Sequence, residues 1–230
     1  MTDERIATGI NGLDALLEGG FPSGRNYMIS GSAGSGKTIL CSQILYNGVY
    51  KFSEKGLYVS FEEPVEDILS DLNRFDWKTA PYLADQSLKY MHLPMLKTEY
   101  EDNVFQLLSV IMKEVKDHGY QRLVLDSLPA LGLVYKDYNL MRKELYLMLH
   151  EIRKTGCTTF IITEKASTDL GHTRFGVEDF LAHGLVLLHA SHTYRGIEIR
   201  KMRGTAHSTD VNRMRIGDGG ITIYPGDHPY

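Results

Sequence analysis

The stretch Gly31-Ser32-Ala33-Gly34-Ser35-Gly36-Lys37-Thr38 governs the interpretation of this chain. It fits the pattern G-x-x-x-x-G-K-[ST] at every fixed position. A Gly-rich turn between a strand and a helix gathers successive backbone N–H groups, from Ser32 and Ala33 through Ser35, into one concavity. The helix after it adds the positive end of its dipole. Gly34 and Gly36 permit φ > 0 and a close approach of the backbone to phosphate oxygens. Lys37 is placed to reach the β- and γ-phosphates, and Thr38 to offer its hydroxyl to Mg²⁺. The flanks suit the motif. Tyr27 to Ser30 reads as a short apolar strand, and Ile39 to Tyr50 as a helix. The expectation is nucleoside triphosphate binding, since a chance look-alike loop would lack this strand–loop–helix setting.

Beyond the loop, Gly56 to Phe61 is an apolar, β-branched and aromatic run that reads as a buried strand. Glu62 and Glu63 come next, then Pro64 opens a helix whose inner face is Val65, Ile68, Leu69 and Leu72. Spacing leaves two readings of the acids open. One carboxylate orients and deprotonates an attacking water at the carboxyl end of a parallel strand, or both are helix-start acids favoured by the dipole. Arg122 to Asp126 is a second apolar strand ending in an acid. Asp126 there either holds the water shell of Mg²⁺ opposite Thr38 or is a plain turn residue.

Helices over Asn103 to His118 and Leu140 to Thr155, and a strand over Thr158 to Thr163 ending beside Glu164, complete the alternation. Strand–helix alternation from Asn26 to Thr163 implies an α/β fold with a mainly parallel, doubly wound sheet flanked by helices. After Glu164 the character changes. Lys165 to Thr173 is a polar loop, and Gly176 to Leu181 one or two helical turns. Gly184 to His189, Gly196 to Lys201 and Ile221 to Tyr224 are then strands without helices, read as an antiparallel C-terminal extension. Lys201 and Arg203 stand two apart on one face of a strand end. They are either a solvated terminus or a phosphate clamp.

The bulk numbers bound the classes. The chain has 230 residues, enough for one α/β domain over 1–230 with a large core. A net charge of −4 argues against general nucleic-acid binding. The two cysteines, Cys41 and Cys157, fall in a helix and a strand start, as small apolar residues in a reducing compartment do. The charged N-terminus has no apolar signal region, and no run approaches the roughly 20 apolar residues of a membrane span. A cytoplasmic protein is expected. His189 and His192 lack metal-ligand spacing.

Six stretches, in order, resemble the KaiC-like ATPases of the RecA superfamily. They are Thr8 to Asp14 with Gly19 to Gly24, the phosphate loop, Ser60-Phe61-Glu62-Glu63, Leu125-Asp126-Ser127, Arg174 to Phe180, and Lys201-Met202-Arg203-Gly204-Thr205-Ala206-His207. The resemblance runs essentially the whole length. It implies a RecA-like fold and Mg²⁺-dependent hydrolysis of ATP at the subunit boundaries of a homohexameric ring. Glu62 becomes the general base and Glu63 its support. Lys201 and Arg203 become fingers onto the neighbouring copy's γ-phosphate, with His207 and Asp218 near that neighbour's nucleotide. Arg74 falls where the family usually has a small polar residue near adenine. An arginine finger is worth about 10³–10⁵ in rate, so an isolated subunit is expected to be nearly inactive. The cycle would act on a protein partner that the sequence does not name. The clock members of the family carry two such domains in tandem, whereas this chain carries one. Its adjacent Ser167 and Thr168 echo an autophosphorylated pair, in surroundings that do not match. Two other classes stay open: a nucleotide-gated assembly module with little hydrolysis, and a strand-exchange protein on the same core. The acidic charge and the lack of a separate DNA-binding domain weigh against the last.

Overall fold

The computed structural model describes residues 4–94, 104–127, 129–130, 138–164 and 182–228. A two-stranded ribbon, β1 (Arg5–Ile6) and β2 (Phe21–Pro22), encloses the short helix α1 (Leu13–Leu16). Then come β3 (Asn26–Gly31), α2 (Lys37–Phe52), β4 (Gly56–Ser60), α3 (Val65–Leu72), α4 (Ala80–Ala84) and β5 (Leu88–His92). The next elements are α5 (Val104–His118), β6 (Arg122–Asp126), α6 (Tyr138–Arg153) and β7 (Thr158–Glu164). Four strands close the described chain: β8 (Gly184–Ala190), β9 (Arg195–Met202), β10 (Asn212–Gly217) and β11 (Gly220–Tyr224).

Nine of these strands form one sheet in the order β11-β10-β9-β8-β3-β7-β6-β4-β5. From β8 to β5 all neighbours are parallel, and β9 to β11 run antiparallel. This is the expected RecA-like arrangement, a mostly parallel sheet flanked by helices. Alternation along the strands feeds two cores. Met28, Leu57, Val59, Leu123 and Leu125 face α5 and α6. Tyr27, Ile29, Tyr58, Val124 and Phe160 face α2 and the N-terminal segment.

Two details differ from the sequence reading. The strand from Gly184 was expected to begin the antiparallel extension, yet β8 lies parallel to β3, with Leu188 opposite Gly31. Its run of consecutive buried residues is the mark of a strand covered on both faces, as parallel strands are. The extension begins one strand later and includes β10, whose three polar side chains among six residues hid it from an apolar-run reading. Lys165 to Thr173, with Ser167 and Thr168, and the stretch Arg174 to Phe180 lie outside the described residues. Among the described residues no helix is long and apolar enough to cross a membrane.

A buried cation ties the layers together. The Arg122 side chain, at the start of β6, is fully buried and pairs through Nε with Glu54 Oε2 at 2.6 Å. Its Nη1 donates to Ile44 O of α2 and its Nη2 to Ala7 O of the N-terminal segment, both at 2.8 Å. The guanidinium lies 5.5 Å from the centre of the Phe52 ring. Gly48 makes room for it, since a Cβ there would sit 2.7 Å from Arg122 Cδ. Removing one member of a buried, hydrogen-bonded pair strands the other members. Arg122→Leu is therefore expected to lower unfolding stability by about 3 kcal/mol. Urea denaturation measures this, and Glu54→Gln, at a partly exposed position, should cost less.

Candidate nucleotide-binding site

The loop between β3 and α2 has the backbone the motif demands. Gly34 has φ 72° and Gly36 has φ 100°, both left-handed. Gly36 is the N-cap of α2, so the N–H groups of Lys37 and Thr38 open the helix toward the concavity. Lys37 arches back over the loop, donating to Gly31 O at 2.9 Å and Ser32 O at 2.8 Å. Burial lowers its pKa, against the opposing pull of Glu164 and Asp126. The ammonium is thus partly stripped of water and poised beside the loop's anion cradle.

Parallel register brings the acids to the same edge. Ser60 ends β4 directly opposite Asp126, which ends β6. Thr38 Oγ1 donates to Asp126 Oδ2 at 3.2 Å, and Tyr58 OH donates to the same oxygen. Burial raises the Asp126 pKa, and the bonds from Tyr58 and Thr38 work against that rise. Glu62 and Glu63 stand just past Ser60, in the turn before α3. Ser127 Oγ donates to Glu62 Oε2 at 2.8 Å, which leaves the other carboxylate oxygen free of a described partner. Ser60 Oγ donates to Glu63 O at 2.6 Å and accepts from Glu63 N at 3.0 Å, fixing the turn that carries both acids. The Glu63 carboxyl is pushed up, first by burial and then by Asp71, Asp126 and Asp67.

A pocket of about 300 Å³ opens beside this cluster, lined by Gly34, Gly36, Thr38, Glu63, Asp71 and Arg74 among others. The Arg74 guanidinium lies 5.3 Å from the centre of the Phe75 ring. Asp76 N donates to Asp218 O at 3.0 Å, and Trp77 Nε1 to Gly219 O at 3.1 Å. These bonds hold the β10–β11 turn against the Arg74 end of the pocket. The Asp218 backbone therefore lies beside the Arg74 end of the pocket of its own chain. The hairpin carries it there by extending beyond the end of β9.

Lys201 and Arg203 lie elsewhere. Lys201 pairs with Leu185 and Met202 with Gly184, and Gly184 is level with Tyr27 at the start of β3. The phosphate loop leaves β3 at the other end, four residues and about 13 Å away. Arg203 is anchored at that far end, its N–H donating to His183 O and its carbonyl accepting from Arg25 Nη1 at 2.8 Å. His207 stands further along the same loop, with its Nδ1 3.2 Å from Ser208 O. The structure thus brings together Ser32 to Thr38, Glu62, Glu63, Arg74, Asp126 and Asp218, and separates them from Lys201, Arg203 and His207.

Sequence reasoning missed Tyr58, Ser60 and Ser127 as parts of this site. One signal was available: a tyrosine in an otherwise aliphatic buried strand needs a partner for its hydroxyl.

The chain matches the family model described as "ATPase: KaiC" over residues 6–228, and it belongs to that family. It is 31% identical over 230 residues to the circadian clock oscillator protein KaiC of Synechococcus elongatus, an alignment covering 96% of this chain and 44% of that protein. The corresponding protein of a Nostoc species is 31% identical over 231 residues, with 96% of this chain and 44% of the relative covered. The chain thus spans less than half the length of these relatives. A solved structure of a KaiC-like protein from Pyrococcus horikoshii superposes with a TM-score of 0.85 at 31% identity, covering 96% of this chain and 99% of that one.

The Tyr58 hydroxyl donates to Asp126 Oδ2 and so fixes the orientation of that carboxylate. Tyr58→Phe keeps the ring that stacks on Tyr90, 5.0 Å away between centres. It is expected to leave the fold intact and, with Asp126 in the Mg²⁺ role that the family resemblance implies, to raise the Mg²⁺ concentration needed for half-maximal ATP binding by about tenfold, the order of loss when an outer hydrogen bond to a metal-ligating carboxylate is removed. Nucleotide titrations at graded Mg²⁺ read this directly, with ATP affinity in EDTA unchanged.

Proposed function

We propose that this protein binds ATP and hydrolyses it with Mg²⁺ at the boundaries between copies of itself in a homohexameric ring. We further propose that the cycle serves regulation through a protein partner. One observation carries the reading: the phosphate cradle and its carboxylates sit at one end of the sheet, and the cation pair at the other. A cation pair fixed about 13 Å along the strands from its own cradle fits a role at the cradle of another copy. Family membership supports ATP as the nucleotide, and the names of the clock relatives support a regulatory role.

In this reading the loop amides and Lys37 hold the β- and γ-phosphates, Arg74 borders the base, and Asp218 stands near the nucleotide of the neighbouring copy. Thr38 Oγ1 and Asp126 are hard oxygen donors 3.2 Å apart. So small a set suits Mg²⁺, which keeps waters and shares phosphate oxygens. The ion would be held by Thr38 directly and by Asp126 through water, and would supply charge neutralisation on the phosphates. Glu62 accepts a proton from the attacking water, with Ser127 fixing one of its oxygens, and Glu63 supports it. Charge developing on the transferred phosphoryl group meets Lys37 from the same chain and Lys201 and Arg203 from the neighbouring copy, with His207 beside them. The whole chain, 1–230, acts as one ATPase domain.

Two inactive variants test the trans arrangement. Glu62→Gln is expected to bind ATP with wild-type affinity and lose turnover by at least about 10²-fold. Arg203→Ala is expected to lose about 10³-fold. Mixed in equal amounts under exchange, they should regain turnover at about a quarter of the sites, as a head-to-tail ring requires. Wild-type turnover in Glu62→Gln would remove the base assignment. No recovery on mixing, with exchange verified by mass, would remove the shared site.

A further inference from the structure

A second cavity lies away from the phosphate loop. It is a notch of about 580 Å³ between the β8–β9 turn and β10, and it shares no lining residue with the nucleotide pocket. We propose that this notch docks an acidic peptide segment in extended conformation, added as a strand beside β10.

Three observations carry this. The first is an open strand edge. The ladder between β10 and β9 ends at Arg213 opposite Gly196, while the ladder between β10 and β11 continues to Gly217 opposite Gly220. Beyond Arg213, β10 is therefore paired on one side only, and such an edge is a template for strand addition.

The second is charge. Arg195, Arg213, Arg215 and His192 line the notch, against a single acid, Asp227. Asp227 is taken by Arg213 at 3.2 Å. No hydrogen bond or ion pair from a described residue reaches the Arg195 or Arg215 side chain. A chain of net charge −4 has gathered three arginines in one concavity. Alternation puts Arg213 and Arg215 on the same face of β10, while Met214 packs into the core on the other. Acidic side chains at every second position of an added strand meet that spacing.

The third is a preformed wall. The turn from Ser191 to Tyr194 closes on itself, with Ser191 N donating to Tyr194 O at 2.9 Å and Tyr194 N to Ser191 Oγ at 3.2 Å. The Ser191 N–H and hydroxyl are spent inside the turn, so the notch keeps its shape and little ordering entropy is lost on docking. The strand edge favours peptide over nucleic acid, because only a peptide returns main-chain hydrogen bonds to β10.

The test is fluorescence anisotropy with a labelled alternating Glu-Val octapeptide, its Lys-Val counterpart and an oligo-dT of matching length, at low salt. The full chain is expected to bind the Glu-Val peptide only, more weakly as salt rises. Arg195→Glu with Arg215→Glu should weaken binding by about tenfold or more, and Arg215→Gln alone by a smaller factor, with ATP affinity unchanged in both. Methylating alternate backbone nitrogens of the peptide should weaken binding to the full chain as well. Absence of Glu-Val binding overturns the proposal, as does equal affinity in both variants or indifference to backbone methylation. Preferential oligo-dT binding lost in the variants assigns the notch to nucleic acid and overturns it too.

Discussion

Strand direction is the constraint on which the rest of the molecule depends. Parallel strands release their connecting loops at one shared edge of the sheet. Gly31 lies opposite Glu164 and Leu188, and Ser60 opposite Asp126, so the loops after these strands leave along a single line. The phosphate loop, the paired glutamates and Asp126 meet because of that register and not through sequence proximity. Arg122 holds the other end of the same strands. It binds Glu54, just ahead of β4, and reaches across to Ile44 O and Ala7 O, while its own N–H joins Lys55 O. A slip by one residue would turn Asp126 to the opposite face and pull the guanidinium from three acceptors at once.

The electrostatics at the assembled edge are those of a site built for a charged guest. Burial disfavours the ionised form of both Lys37 and Asp126, and their proximity offsets part of that cost. Tyr58 is fully buried and its phenol is pushed well above its ordinary range, so it serves Asp126 as a constant donor. Around Glu63 the balance is reversed, with Asp71, Asp126 and Asp67 all adding negative charge. An incoming polyphosphate adds more. The loop amides and Lys37 supply the main positive potential at this edge, with Arg74 at the far side of the pocket. Under the proposed reading additional cations come from another copy, from its β9 and the loop after it.

What the sequence made legible was local. The phosphate loop, the two glutamates after an apolar strand and Asp126 after another are each spelled out within a few consecutive residues. The α/β class came from alternating strand and helix periods, which are also local. What stayed hidden depended on pairing across the sheet. Gly184 to Ala190 carries no mark of its direction, only of its burial, and β10 alternates Arg213, Met214, Arg215 and Ile216 in a pattern shared with many exposed strands. The turn at Asp218 meets Asp76 and Trp77 because a hairpin projects past β9, which no spacing reveals. Arg122 reads as the polar entry to a strand, and its burial arises from contacts 68, 78 and 115 residues away in sequence.

The separation of the two cation sets has a consequence for assembly. Met202 closes β9 and is buried, with Lys201 before it in the strand and Arg203 after it in the turn. Arg5 braces the loop beyond them, donating to Thr205 Oγ1 at 3.0 Å and Gly204 O at 3.1 Å. Groups so fixed are presented with little left to order, which is what a residue acting on another molecule's substrate needs. Under the proposed reading each copy is a cradle at one edge and a clamp at the other, and the contact that joins them is head-to-tail. Such contacts close into a ring or run on as a filament. In an open chain of copies one cradle always lacks its cations. On that reading closure completes every site at once, and the geometry that would leave a lone subunit slow would tie full activity to the finished ring.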